Sequence, residues 1–166
     1  MNYRLLEERD AEAYRELRLE ALQDRPQAFS SSYEEEQGKT VEDYATRLGS
    51  PFSVTIGCFN HTSKLIGVVS LVKETKRKLQ HRANIYAMYV QPEYRRQGVA
   101  KNLMKEAIQI AISMKQIEQV YLGVIIDNEA ARRLYTSFGF ESFGIDRKAI
   151  KIDDIYYDEE LMILPI

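Results

Sequence analysis

The chain is poor in the residues that staple or metallate a small fold. Cys58 is its only cysteine and it has two histidines, so an intramolecular disulfide is excluded and a structural zinc site lacks ligands. The setting expected is a reducing one, the cytoplasm. No segment approaches the ~18 apolar residues of a bilayer-crossing helix, and no membrane association is expected. The opening MNYRLLEERDAEAYRELR is charged from Arg4 onward and has no apolar core of signal-peptide length. The nucleotide fingerprints GxxxxGK(S/T) and GxGxxG are both missing, which argues against a P-loop NTPase or a dinucleotide-binding domain. Neither charge dominates: the formal net charge is −2, so a broad nucleic-acid footprint is not expected, although a local basic site could still hold a phosphate. The basic run KETKRKLQHR reads as a solvated connection.

What remains is an ordinary folded composition, 45% hydrophobic and 29% charged over 166 residues. That length fits one domain, which buries roughly two thirds of the surface of its unfolded chain. Tyr3 to Glu8 reads as a short strand. Asp10 then stands as N-cap of an amphipathic helix over 11–23, with Ala13, Tyr14, Leu17, Ala21 and Leu22 at helical spacing and Pro26 as its stop. A serine-rich turn leads to a short helix through the glutamates and to a second one opened by Thr40 and Asp43 as a capping box. Phe52–Phe59 and Leu65–Val72 form a hairpin around NHTSK, and a further strand, ANIYAMYV, ends at Pro92. Val99–Met114 is a four-turn amphipathic helix, QVYLGVII a buried strand and DNEAARRLYTSFGF a capped helix ended by Gly139. Phe140–Ile150 and Ile155–Leu164 are the last strands. This order suggests a single α/β sheet with parallel and antiparallel pairs.

The stretch YRRQGVAK joins the Pro92 strand to its helix. The first amides of a helix have no partner within it and carry the positive end of the macrodipole. Gly98 permits a tight turn or close approach of a ligand, Ala100 obstructs little, and Arg95, Arg96 and Lys101 add full charges. The combination suits a pyrophosphate, although a glycine before a helix can also be simply a turn. In the downstream helix Asn128 serves as cap, while Ala131, Arg132 and Tyr135 return to roughly its face and Leu134 and Phe138 point to the core.

Together these stretches resemble the GCN5-related N-acetyltransferases (GNAT). Arg95-x-x-Gly98-x-Ala100 matches that family's (Q/R)-x-x-G-x-(G/A) acyl-CoA signature, after the strand IYAMYV and before a long helix. NEAARRLYTSFGF matches its second motif at Asn128, Leu134, Tyr135, Gly139 and Phe140. The resemblance implies a single N-acetyltransferase domain over 1–166, with a mixed central sheet of about seven strands flanked by about four helices. It implies acetyl-CoA as co-substrate, no metal, and direct attack of a primary amine on the thioester. The amides of Gln97, Gly98, Val99, Ala100 and Lys101 would bind the pyrophosphate, with Arg95 and Arg96 beside them. Strand amides near Met88 and Val90 would hold the acetyl carbonyl and the pantetheine arm, the Met88 N–H stabilising the developing oxyanion. Asn128 and Ala131 would line the same site, and Tyr135 would protonate the leaving thiolate.

The general base does not carry over. The family's glutamate four residues before the oxyanion amide corresponds to Asn84, whose amide cannot usefully accept a proton at neutral pH. Candidates for the base or for binding the acceptor are Glu34, Glu35, His81, Asp158 and Glu159. A histidine in a basic loop is more often merely exposed. SSYEEE and the acidic 158–160 stretch would form opposed acidic walls for a small cationic amine. A protein or peptide N-acetyltransferase and a non-catalytic acyl-CoA-binding regulator are the alternatives. The expected partner is a small-molecule amine, and a homodimer is admitted.

Overall fold

The computed structural model describes residues 1–166. Seven strands form one sheet in the order β1-β2-β3-β4-β5-β7-β6. They are β1 Asn2–Leu5, β2 Ser53–Phe59, β3 Leu65–Lys73, β4 Arg82–Val90, β5 Gln119–Ile125, β6 Glu141–Ile152 and β7 Ile155–Pro165. All neighbouring pairs are antiparallel except β4–β5. That one parallel pair needs a crossover, and the helix Val99–Ser113 supplies it.

Five helices flank the sheet, in line with the about four expected: α1 Ala11–Asp24, α2 Tyr33–Gln37, α3 Val41–Leu48, α4 Val99–Ser113 and α5 Glu129–Ser137. The two short ones follow from local capping. Ser32 and Glu35 form a reciprocal capping box at α2, and Thr40 and Asp43 form another at α3. Each satisfies orphan amides within one turn, so two short helices fit between α1 and β2.

The sheet separates two apolar cores. Leu103, Met104, Ala107 and Ala111 of α4 pack with Ile56, Ile66, Val69 and Leu71 on one side. On the other, Tyr14, Leu17, Ala21 and Leu22 of α1 meet Tyr44 of α3, with Leu65, Val68 and Tyr89 from the sheet. β3 is buried from Leu65 to Leu71 because it runs between both layers.

The N-terminal end differs from expectation. β1 stops at Leu5, and a 3-10 turn over Glu8–Asp10 precedes α1. Asp10 makes no side-chain cap to α1. Its carboxylate instead takes both Nη atoms of Arg4 at 2.7 Å and the Glu7 N–H at 2.8 Å. A bidentate charge-assisted pair outcompetes a single amide donor.

One carboxylate is buried beneath α1. Glu36, 2% exposed, accepts from Tyr44 Oη, from Lys39 Nζ at 2.8 Å and from Arg47 Nη2 at 3.3 Å. These donors outweigh desolvation and bring its pKa from 4.5 to about 2. A depressed pKa stabilises the fold fully above the unfolded value, and that stabilisation is lost as pH falls through the folded one. Glu36→Gln should therefore lower the Tm at neutral pH. The deficit relative to the parent should shrink as pH drops from about 4.5 toward about 2, as thermal melts across that range will show.

Candidate active site

β4 and β5 pair only at Arg82–Gln119, Ala83–Val120 and Asn84–Tyr121. Beyond Asn84 they diverge, while β5 stays paired along its other edge with β7 as far as Ile125. The edge of β4 that faces β5 is therefore left without a sheet partner from Ile85 on. β4 is also bulged. Ser70 pairs with Tyr86 and Val68 with Tyr89, so Ala87 and Met88 share the place opposite Val69, and Ala87 takes φ 55°. An extra residue of this kind re-aims the backbone groups that follow it. The gap opens into a cleft of about 670 Å³ lined by Ala87, Met88, Gly123, Tyr135 and Glu159 among others, the size of a small-molecule site.

Past the end of β4 the chain turns through Pro92–Tyr94 into the basic loop and α4. Arg96 and Gly98 adopt positive φ, 61° and 79°. Gly98 is the N-cap and offers no side chain to the helix amides. Asn102 N–H is the first to find a carbonyl, that of Gly98 at 3.0 Å, whereas the N–H groups from Arg96 to Lys101 donate to nothing in the protein. A Cβ placed on Gly98 would meet no atom within 4 Å, so open space lies over this run of donors. The donor set suits a phosphate.

The three cations here differ in their engagements. Arg96 and Lys101 are exposed. Arg95 donates Nε to the Val90 carbonyl at 2.9 Å and pairs with Asp24, which ties the loop to α1. Tyr89 and Gln91 bond Glu20 on the same helix, at 3.1 and 2.6 Å. Gln97 closes the loop through Nε2 on the Glu93 carbonyl, 2.9 Å.

α5 supplies another wall. Asn128 Oδ1 accepts from Ala131 N–H at 3.2 Å, and both residues line the cleft with Tyr135. The Tyr135 ring, 6% exposed, lies 6.1 Å from that of Phe140. No protein group bonds its hydroxyl, and burial pushes its pKa up to about 12.

Of the acidic candidates, only Glu159 lines the cleft. It stands on β7 opposite Ile125, and a Cβ on Gly123 would lie 2.5 Å from its carboxyl carbon. The absence of a side chain at 123 thus lets this carboxyl lie over β5. Burial, with the Asp146 charge adding to it, raises its pKa. Asn84 also lines the cleft, its Nδ2 bonded to Glu74 Oε1 at 3.0 Å.

The other candidates lie elsewhere. Glu34 and Glu35 are exposed on α2, and Glu35 is spent on capping Ser32. His81 sits at the far end of β4, where its carbonyl accepts from Glu118 and Gln119. Asp158 faces the β6–β7 hairpin, bonded to Arg147 and to Lys148 N–H. The acidic wall expected from SSYEEE is in fact basic: Arg18 of α1 and Arg47 of α3 line the cleft. A sequence signal for Arg18 existed, since it falls four residues after Tyr14 and four before Leu22, on the apolar stripe of α1.

In Gly123→Ala the Glu159 carboxyl must leave its place over β5, since the two cannot coexist at 2.5 Å. Its pKa should fall back toward the ordinary glutamate range. Carbon-detected NMR titration of the side chain will register this.

The model of the acetyltransferase (GNAT) family matches residues 12–140. Among curated proteins, the chain is 26% identical over 98 residues to the L-amino acid N-acetyltransferase AaaT of Escherichia coli, covering 59% of this chain and 60% of that one. It is 27% identical over 100 residues to the spermidine N(1)-acetyltransferase of Vibrio cholerae, covering 60% of this chain and 56% of that one. It thus spans about three fifths of the length of both relatives. Its fold is similar to a GNAT acetyltransferase from Streptococcus pneumoniae, with TM-score 0.89, 99% of each chain covered and 23% identity. It is also similar to yncA, a putative acetyltransferase from Salmonella typhimurium determined with its cofactor acetyl-CoA, with TM-score 0.80, 99% and 93% covered and 18% identity. The family model runs from the first turns of α1 to Phe140 just beyond α5 and so takes in both strands of the gap, the basic loop and Tyr135; this chain belongs to the acetyltransferase (GNAT) family.

Proposed function

We propose that the protein transfers the acetyl group of acetyl-CoA to a small primary amine, with both bound together in the β4–β5 gap. One observation carries the reading: the Tyr135 hydroxyl and the Glu159 carboxyl, neither bonded to any protein group, line the same cleft as Met88.

Acetyl-CoA supplies an activated acetyl thioester. The N–H groups from Gln97 to Lys101 would take its pyrophosphate oxygens, assisted by the charges of Arg96 and Lys101. Arg95, paired with Asp24, acts by holding the loop in place. The free edge of β4 at Met88 and Val90 would bond the extended pantetheine arm as a further strand would. The Met88 N–H would donate to the carbonyl oxygen as it gains negative charge, and a preorganised donor of this kind is worth several kcal/mol, roughly 10²–10³ in rate.

The proton economy falls to two side chains. The amine arrives as an ammonium and must lose a proton before its lone pair attacks. Glu159, whose pKa is raised by burial, is a stronger base than an exposed glutamate and serves as acceptor. As the C–S bond breaks, sulfur gains charge, and Tyr135, fully protonated at neutral pH, donates to it; the second proton, lost by the nitrogen once it is acylated, passes through solvent to restore the phenol. Asn128 and Ala131 line the wall beside Tyr135. The acceptor's ammonium meets a single carboxylate here rather than opposed acidic walls.

Gly98→Ala tests the cofactor side. The protein leaves room for the new methyl group, so the fold should lose only about 1–2 kcal/mol of left-handed backbone strain. Acetyl-CoA binding by calorimetry should weaken by more than that, because the methyl group intrudes on the phosphate. Equal affinity in both proteins removes the loop from the site.

Tyr135→Phe should keep acetyl-CoA affinity and lower kcat by about 10²-fold, and Glu159→Gln should lower kcat/KM comparably. In the parent, kcat/KM should rise with pH through the deprotonation of Glu159 and of the amine. Glu159→Gln should remove the lower step. Unchanged turnover in both variants, measured with a competent amine, would falsify the assignment.

A further inference from the structure

The cleft that Glu159 lines also carries a cation with no anion. Arg18 lies on the buried stripe of α1 with its guanidinium 4.5 Å from the Phe29 ring, and its Nη2 donates to Ser31 Oγ at 2.9 Å. Its Nε and Nη1 are shielded from water and bond nothing. No carboxylate pairs with it. Its neighbours do not supply one: Glu36, buried nearby, is already shared by Lys39, Arg47 and Tyr44. Arg47 and Lys39 thus share a single carboxylate, Arg18 has none, and Arg18 and Arg47 both line the cleft, leaving it an excess of positive charge.

A guanidinium fork held out of water with two idle nitrogens is costly unless an acceptor arrives. The group that fits best is planar, anionic and bidentate, and a carboxylate meets all three conditions. Resting on the acetyl-transfer reading above, we infer that the acceptor is a primary amine that also bears a carboxylate, its anion docked on Arg18 with Arg47 adding charge, and its ammonium directed to Glu159. Both ends of the cleft then find opposite charge, and a purely cationic amine would meet repulsion from α1. Docking draws Ser31 off Nη2. That residue lies in the connection between the 3-10 turn Pro26–Ala28 and α2, next to the exposed Ser30, where such a shift breaks no helix or strand.

The test compares amines that differ only in this anion. Glycine, β-alanine, 4-aminobutyrate and 6-aminohexanoate vary the separation of the two charges, and each is run beside its own amide with saturating acetyl-CoA. At the separation that fits, the acid should exceed its amide in kcat/KM by about 10- to 100-fold, the range for a hydrogen-bonded charge. Arg18→Gln should collapse that preference, chiefly through KM for the acid. Arg18→Lys, which keeps the charge and loses the fork, should retain part of it. Thermal melts of both variants separate loss of recognition from loss of fold. Amides acetylated as well as acids by the parent would overturn the carboxylate inference and leave acetyl transfer standing. So would a preference that survives in a folded Arg18→Gln protein, which would make Arg18 a packing partner of Phe29. Acetyl-CoA binding without acetylation of any acid or amide would overturn both.

Discussion

Backbone donors and acceptors that leave water must be paired, and the site is built where this requirement is suspended. β4 and β5 pair through Asn84–Tyr121 and then separate. β5 leaves with β7, which occupies its other edge up to Glu159, while β4 is bulged at Ala87 and turns toward the basic loop. The free edge of β4 can be completed only by something that is not part of this chain. Every group given a role in the proposed chemistry is placed relative to that gap. α4, demanded by the parallel crossover, brings its unpaired amides to the top, α5 sets Tyr135 on one side, and β7 carries Glu159 along the far bank.

How much of this the sequence discloses depends on whether the information is local. Helix caps are local, and Ser32, Thr40 and Asn128 each stand where their oxygen reaches an orphan amide. The left-handed turn at Gly98 and the buried face of α4 are local as well. Asp10 misleads because its partner, Arg4, lies across a turn that the strand pattern does not show. The insertion of β7 between β5 and β6 brings Glu159 over Gly123, and nothing within either segment announces that meeting. Acidic runs mislead for a different reason. SSYEEE contains three glutamates, yet one caps, one is exposed, and Glu36 turns inward to be neutralised by three donors.

That neutralisation shapes the basic wall of the cleft. Tyr44 is buried against Tyr14 at 5.5 Å between ring centroids and places its hydroxyl on Glu36, so α3 is locked to α1. Arg47, one turn on from Tyr44, covers both the Tyr44 ring at 4.6 Å and the carboxylate. The pairing fixes the positions of these side chains at the cleft edge without cancelling their charge. Positioned, partly desolvated charges discriminate more sharply between ligands than solvated ones, because the wrong ligand leaves them unpaired.

The same loss of water acts on both groups proposed to handle protons. It disfavours the charged form of any acid, so it raises Glu159 and takes Tyr135 to about 12. For the carboxylate this is direct gain in basicity. For the phenol it makes donation harder, and an ordinary thiolate, near 8.5, would be too weak a base to draw its proton at equilibrium. On the proposed reading the leaving sulfur, however, would be released beside the same buried groups and would be raised by the same effect. Burial therefore narrows the mismatch between donor and acceptor instead of widening it, and the transfer need only accompany C–S cleavage. A tyrosine suits this place better than a carboxylic acid would, because at neutral pH it stays loaded with its proton and adds no negative charge beside the thiolate before the bond breaks.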